Sequence, residues 1–435
     1  MLIKNGTLVS PGTNEIYRAD LRTEGAFIKE IGHLAPLPDE EVLDASACVI
    51  APGLVDVHVH FRDPGFTYKE DLHTGALAAA AGGYTTVVCM ANTKPAIDNK
   101  ETLLDLIRRA EDEKIHVRFD SAVSRNLAGK ELVDFQEMAQ NGAWGFTDDG
   151  IPLMDEKLVM QAMLQAKELS LPLSFHEEDP AFIEKSGTNR TAPAAAENVL
   201  VARDSMIALY TCALLNIQHI SSAASVALVR TAKALGAKVW AEATPHHFSL
   251  TEEAVEKYGS NAKMNPPLRT ETDRLAIIEG LKDGSIDMIA TDHAPHSADE
   301  KGREDLFSCP SGIIGLETAL GLGITYLVEP GHLTMMELLS KMTVMPARLY
   351  YMDAQADQLN KDDRKKASSG EQDYPAYGSL KPGNAADLVI FNPDESYIAG
   401  NYHSKSANSP FTGWELKGKI HYTICDGKVA FSAEA

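Results

Sequence analysis

Apolar and polar residues alternate through Val55-Asp56-Val57-His58-Val59-His60. Successive side chains of an extended strand point to opposite faces, so this stretch predicts a strand carrying both imidazoles on one face. Pro64-Gly65 stops it just past them. Further apolar runs predict strands at 85–90, 117–122, 143–147, 173–176, 217–221, 239–243 and 288–291. Residues 101–114, 155–169, 198–215 and 225–235 carry helical patterning between them. Repeated strand–helix units imply a parallel sheet, and eight strands suggest a closed α/β barrel of the (β/α)8 TIM type. In such barrels the chemistry lies at the C-terminal ends of the strands.

The two ends of the chain follow a different pattern. Residues 1–9, 26–32, 386–392 and 421–429 are short alternating runs broken by Gly and Pro. Each end is too short to bury a face alone. Residues 1–50 and 378–435 are therefore expected to pair as a small β-sandwich domain, with the barrel spanning 51–352. Residues 353–377 are rich in Asp, Lys, Gln and Ser, lack an apolar period, and predict a polar loop or insertion.

Composition narrows the class. The chain has 435 residues, enough for a barrel of about 250 residues and a smaller unit. Its formal net charge of −22 argues against a nucleic-acid or anionic-membrane surface. Five scattered cysteines form no paired spacing, which fits reduced thiols. No apolar stretch reads as a signal peptide or a membrane span, and the expected location is the cytoplasm.

Ligand-type residues recur at the predicted strand ends. His58 and His60 open the series. Asp148-Asp149, His176, His219 and Asp292 follow at the ends of 143–147, 173–176, 217–221 and 288–291. A lone His-x-His is often just a hydrogen-bonded pair in a buried strand. Four imidazoles and two carboxylates at one mouth instead suit Zn²⁺ or a similar first-row dication. Six protein ligands exceed one tetrahedral site and fit two metals that share a carboxylate and a water.

The motifs Asp-Val-His-Val-His-Phe-Arg at 56–62, Met-Ala-Asn-Thr at 90–93 and Phe-Thr-Asp-Asp-Gly at 146–150 resemble those of the cyclic amidohydrolases. So do Thr-Pro-His-His at 244–247, Lys-Met-Asn-Pro-Pro-Leu-Arg at 263–269 and Ala-Thr-Asp-His-Ala-Pro-His at 290–296. Within that family the match is to the long-chain, class I dihydroorotases, over nearly the whole chain. The resemblance implies a (β/α)8 barrel with a β-sandwich from both termini, and two zinc ions per subunit. It assigns His58, His60 and Asp292 to one metal, His176 and His219 to the second, and Asp149 to the bridging position that a carboxylated lysine holds in many relatives. His246, His247 and His293 receive no ligand role.

The implied reaction is the reversible cyclisation of N-carbamoyl-L-aspartate to (S)-dihydroorotate plus water, a step of pyrimidine biosynthesis. Two dications lower the pKa of a shared water, so a metal-bridged hydroxide exists near neutral pH. Asp292 is the expected proton shuttle. Arg62, two residues past His60 and on the same strand face, is placed to grip a substrate carboxylate through two hydrogen bonds. By resemblance Asn92, Asn265 and His296 complete the substrate contacts. Class I relatives usually carry a Pro-Phe-Gly step after the last strand, where this chain has Cys309-Pro310-Ser311-Gly312.

Two other readings compete. An allantoinase or dihydropyrimidinase is disfavoured by Asp149 in place of a lysine and by Arg62, which needs an anionic substrate. An inactive subunit serving aspartate transcarbamoylase is disfavoured because all six ligand positions are filled. The expected assembly is a homodimer, with a transcarbamoylase as a possible partner.

Overall fold

The computed structural model describes residues 1–183, 192–303, 305–350 and 378–433. The polar insertion expected at 353–377 lies outside the described residues. The N-terminal segment supplies β1 (Leu2–Ser10), β2 (Glu15–Glu24), β3 (Phe27–Gly32), β4 (Val42–Asp44) and β5 (Val49–Pro52). The middle supplies β6 (Leu54–Val59), β7 (Tyr84–Cys89), β8 (His116–Phe119), β9 (Leu173–Phe175), β10 (Leu215–Ile217), β11 (Val239–Ala243) and β12 (Met288–Ile289). The C-terminal segment adds β13 (Leu388–Ile398), β14 (Glu415–Cys425) and β15 (Lys428–Ser432).

The termini pair as expected. Their strands form one sheet in the order β15-β14-β13-β5-β1-β2-β3, with β4 on β1. The join is made by β5, which runs parallel to β1 (Leu8↔Ile50) and antiparallel to β13 (Ile50↔Ile390). An antiparallel bridge, Phe27↔Ala385, brings β3 back beside the start of β13. Both termini thus contribute to a single sheet. Alternation then divides its side chains. Ile3, Leu8, Leu21, Ile28, Ile50, Leu388, Ile390 and Ile424 share one buried cluster. Their neighbours Val49, Ala51, Val389, Phe391 and Cys425 belong to the core shared with the middle segment. Truncating such a buried Leu to Ala typically costs ~2–5 kcal/mol.

The middle strands pair in parallel as β6-β7-β8 and β9-β10-β11-β12. The strand expected at 143–147 is not a continuous ladder. Phe146 makes single parallel bridges to Ser121 and Leu173, which link β8 to β9. Its neighbour Gly145 packs too tightly for a side chain: a Cβ would lie 2.9 Å from Asp120 Oδ1. At the other seam Val59 bridges His293, just past β12.

Strand ends differ from the sequence expectation where a ligand-type residue leaves the strand. A strand was expected at 217–221, but β10 stops at Ile217 and His219 has φ 33°. Helix Glu156–Leu169 starts where expected, with Asp155 accepting from Lys157 N and Leu158 N. The helix expected at 198–215 spans Ala194–Thr211, because Pro193 starts it and Cys212, at φ 56°, ends it. Helix Leu72–Ala81 lies close to the first strand's end through its small residues: a Cβ on Gly75 would come within 2.5 Å of the Phe61 ring. All five cysteines are free thiols, and no helix among the described residues is long and apolar enough to cross a membrane.

Candidate metal centre

The C-terminal mouths of the parallel strands bring six side chains together. His58 belongs to β6 and His60 follows it directly. Asp149 follows the Phe146 bridge, with its N–H donating to Thr147 Oγ1 at 3.0 Å. His176 follows β9, His219 follows β10, and Asp292 follows β12. Ligand atoms of His58, His60 and Asp149 lie within 4.8 Å of one another, as do those of Asp149, His176 and His219. Asp292 Oδ1 is 3.1 Å from His60 Nε2 and 3.5 Å from His58 Nε2. Asp149 is common to both groups.

Hydrogen bonds fix which nitrogen of each ring faces inward. His58 Nδ1 donates to Glu242 Oε2 at 2.9 Å, which turns Nε2 toward Asp149 Oδ1, 3.4 Å away. His60 Nδ1 donates to Asn92 Oδ1 at 2.9 Å, and Asn92 Nδ2 in turn donates to Asp149 at 3.2 Å. His176 Nδ1 and His219 Nε2 meet at 2.9 Å, with Glu178 3.4 Å behind His176 Nε2. An outer carboxylate or amide behind an imidazole is the usual support of a metal-ligating histidine.

The polar bookkeeping points the same way. His58 Nε2 and Asp149 Oδ1 are fully buried and have no hydrogen-bond partner. Unpaired buried polar atoms cost roughly 1–3 kcal/mol each, so two facing each other form a donor set that suits a cation. Burial opposes charge on His58, yet Glu242, Asp149 and Asp292 outweigh it and hold its pKa well above the ordinary value. Burial alone would raise Asp149, but His58, His60 and His176 hold it well below the usual carboxylate range. The residues present form two groups able to hold a divalent cation, with Asp149 common to both.

Arg62, His219 and Asp292 have positive φ (58°, 33° and 48°). Non-glycine residues in this region carry strain of about 1–3 kcal/mol each and cluster at working sites. Arg62 corrects the strand-face expectation. Because β6 ends at Val59 and Arg62 is left-handed, a turn aims it and no strand face reaches it. Its Nε donates to Pro295 O at 3.2 Å and its Nη2 lies 3.4 Å from His296 Nε2. Among the described residues no carboxylate lies within salt-bridge distance of it. The neighbouring Asp63 pairs with Arg109.

His296 is neutral. Burial first, then Arg62, Lys69 and Lys301, push its pKa down. Lys69 Nζ donates to Nδ1 at 3.2 Å, so Nε2 carries the proton and donates to Ser311 O at 2.9 Å. The altered Cys309-Pro310-Ser311-Gly312 loop is thereby tied to the mouth. Lys263 donates to Cys309 O and Lys301 donates to Pro310 O, at 2.5 and 2.9 Å. Burial brings Lys301 down to about 7. Asn265 is half-buried and lines a cavity of about 700 Å³ with Met264, Pro267 and Arg269. None of the six ligand candidates lines that cavity.

The remaining sequence candidates separate cleanly. Asp148 turns away and accepts from Val123 N and Ser124 N at 2.8 and 3.0 Å. His247 contacts Thr244 Oγ1 and Pro266 O, and His293 accepts from Gly315 N at 3.2 Å. Sequence reasoning missed Glu242, Glu178, Lys69 and Asn408, which accepts from His296 N at 3.0 Å. Glu242 left a signal: an acid in the apolar run Val239-Trp240-Ala241-Glu242-Ala243 of a buried strand. Asn408 left none, since 112 residues separate it from His296.

Residues 47–225 match the family model described as dihydro-orotase-like. A dihydroorotase of Clostridioides difficile is 50% identical over 444 aligned residues, covering 100% of each chain. One from Clostridium acetobutylicum is 47% identical over 99% of each. Among solved structures, the L-hydantoinase (dihydropyrimidinase) of Arthrobacter aurescens superposes with TM-score 0.84 at 24% identity, covering 98% of this chain and 95% of its own. The D-hydantoinase of Thermus sp. does so with TM-score 0.83 at 26% identity, covering 100% and 96%. Identity near one half over the full length of these relatives leads to one assignment: the chain belongs to the dihydroorotase family of cyclic amidohydrolases.

Proposed function

We propose that the chain interconverts N-carbamoyl-L-aspartate and (S)-dihydroorotate plus water, and that residues 51–352 form a closed (β/α)8 barrel carrying the site. As a member of its family it is a metal-dependent cyclic amide hydrolase. The bridges at Phe146 and Val59 support barrel closure. In this reading His58, His60 and Asp292 hold one dication, His176 and His219 the other, and Asp149 both; imidazole and carboxylate donors suit zinc. When bound, such ions acidify water and polarise a ring carbonyl.

The chain's own groups do the rest. In the hydrolytic direction the Asp292 carboxylate takes a proton from the attacking water and delivers it to the ring nitrogen as the C–N bond breaks. In the closing direction it runs the same transfer backwards. Arg62 grips the substrate carboxylate, and His296 and the amide of Asn92 flank it. Asn265 meets the polar edge of the ring.

The observation that carries the choice of substrate is Arg62, a cation beside the metal ligands with no acidic partner among the described residues. A neutral ring gives a guanidinium nothing to pair with. The test is turnover of dihydroorotate alongside allantoin and dihydrouracil by the zinc-loaded chain. Dihydroorotate should be the preferred substrate by far. Equal or better turnover of a neutral ring would overturn the reading.

A further inference from the structure

We propose that His116, Cys425 and Asp426, backed by Asp387, form a separate metal site at the opposite end of the parallel strands, suited to zinc or another thiophilic dication. His116 is the first residue of β8, whereas the ligands of the candidate centre lie at or beyond the last residues of their strands. Cys425 is the last residue of β14, and Asp426-Gly427 turn the chain into β15 with φ 49° and 71°. The site would therefore join the base of the parallel strands to the terminal sheet.

The geometry is close to what such an ion requires. Ligand atoms of His116, Cys425 and Asp426 lie within 4.8 Å of one another. His116 Nε2 is 3.7 Å from Asp426 Oδ1 and 3.3 Å from Asp387 Oδ2. Metal–ligand bonds of ~2.0–2.3 Å put tetrahedral neighbours roughly 3.3–3.8 Å apart, so little closing is needed. Asp387 is already oriented, its Oδ1 accepting from Asp426 N at 2.8 Å. The Cys425 thiol is buried, lies 3.8 Å from Thr85 O and also interacts with the Asp387 carboxylate that backs the site.

Donor chemistry selects the ion. One imidazole, one sulfur and carboxylate oxygens suit zinc, and the sulfur disfavours calcium or magnesium. Binding forms the Sγ–metal bond and releases the thiol proton to water. A cavity of about 580 Å³, lined by His116, Arg118, Phe119, Cys425 and Asp426 among others, gives access. Arg118 in that lining opposes weakly held cations and leaves a thiolate-bound one as the candidate. A plain His116–Asp387 ion pair would need no metal.

The test is a titration of the full chain with Cd²⁺ alone, read by the ultraviolet thiolate-to-cadmium charge-transfer band. The candidate centre at the other end contains no sulfur, so the band reports only on cysteine. The band should appear, saturate at the amplitude of about one thiolate ligand per chain, survive Cys212→Ser and vanish in Cys425→Ser. Asp426 is exposed, so Asp426→Asn keeps the fold and provides a second arm. It should weaken Cd²⁺ binding by at least about tenfold, since even outer partners of a metal site are typically worth 10–100-fold, and leave dihydroorotate turnover unchanged. Absence of the band in the wild type, or its loss in Cys212→Ser with retention in Cys425→Ser, would overturn the site. An unchanged affinity in Asp426→Asn would remove that residue and with it the proposed ligand set.

Discussion

The terminal sheet and the mouth of the parallel strands treat polar groups in opposite ways. In the sheet Arg22 is bracketed by Glu30 and Glu40, and Glu395 takes Lys419 and His421. None of the described buried side-chain atoms that lack a hydrogen bond lies in β1–β5 or β13–β15. At and around the mouth such atoms include His58 Nε2, Asp149 Oδ1, His219 Nδ1, Gln218 Oε1 and His246 Nε2. The same mouth holds left-handed Arg62, His219 and Asp292. One region satisfies its buried polar side chains internally, and the other holds unmet polar demand for something it binds. Strain and orphaned donors in one place are what a working site costs its fold.

The sharpest way to break the contrast is to remove one prong of the clamp. His58→Ala deletes a ligand and strands the Glu242 carboxylate in the interior. Metal content measured by mass spectrometry should fall by about one ion, and turnover should drop by more than the ~10⁴-fold that acid–base effects alone reach. Full metal content with wild-type rate would refute the ligand assignment.

Asp292→Asn sharpens the comparison by separating binding from chemistry. The amide keeps an oxygen toward the metal but cannot carry a proton. Turnover should fall ~10²–10⁴-fold while most of the metal stays. A variant that turns over near the normal rate would exclude Asp292 as the shuttle.

Arg62→Met probes a mouth cation that has no acidic partner among the described residues. Charge-assisted hydrogen bonds contribute ~1.5–3 kcal/mol, or about 10–100-fold at ~1.4 kcal/mol per decade. The KM for dihydroorotate should rise by that factor with metal content unchanged, and Arg62→Lys should recover only part of it. Intact dihydroorotate kinetics would place the carboxylate elsewhere.

Much of this arrangement was legible in the chain because periodicity reports on backbone geometry. The Val55/Val57/Val59 alternation located β6 and put His58 and His60 together, and 239–243 was read to the residue. Legibility fails where tertiary contacts override local pattern. Residues 143–147 look like a strand, yet Gly145 is pressed against Asp120 and Pro172, and only Phe146 bridges both neighbours. His219 and Asp292 leave the strand conformation, so the ends of β10 and β12 lie earlier than an apolar run suggests. Supports such as Lys69 and Asn408 come from distant segments, and no local spacing announces them. The motif residues were readable; the residues that aim them mostly were not.

The smallest effect is expected in the terminal sheet, and its signature is pH dependence without loss of activity. Arg22 donates through Nε to Glu40 Oε1 at 2.7 Å, and that bond, with the N–H of Leu37, lowers Glu40 to about 2 from an ordinary 4.5. A carboxylate with a depressed folded-state pKa adds stability above its unfolded pKa and loses it as pH falls through the folded one. The contribution of this pair is therefore fully present at neutral pH and disappears between about 4.5 and about 2. Arg22→Met removes the partner and returns Glu40 toward its ordinary range. The variant's Tm should be lower than that of the wild type at neutral pH, and the gap should narrow as the solution is acidified through that window. Turnover measured well below Tm should be unchanged, because the pair lies far from the mouth. A gap that stays constant with pH would mean that Arg22 acts by packing its aliphatic stem. A loss of turnover would mean that the two regions are not independent, and the contrast between them would fail at its stable end.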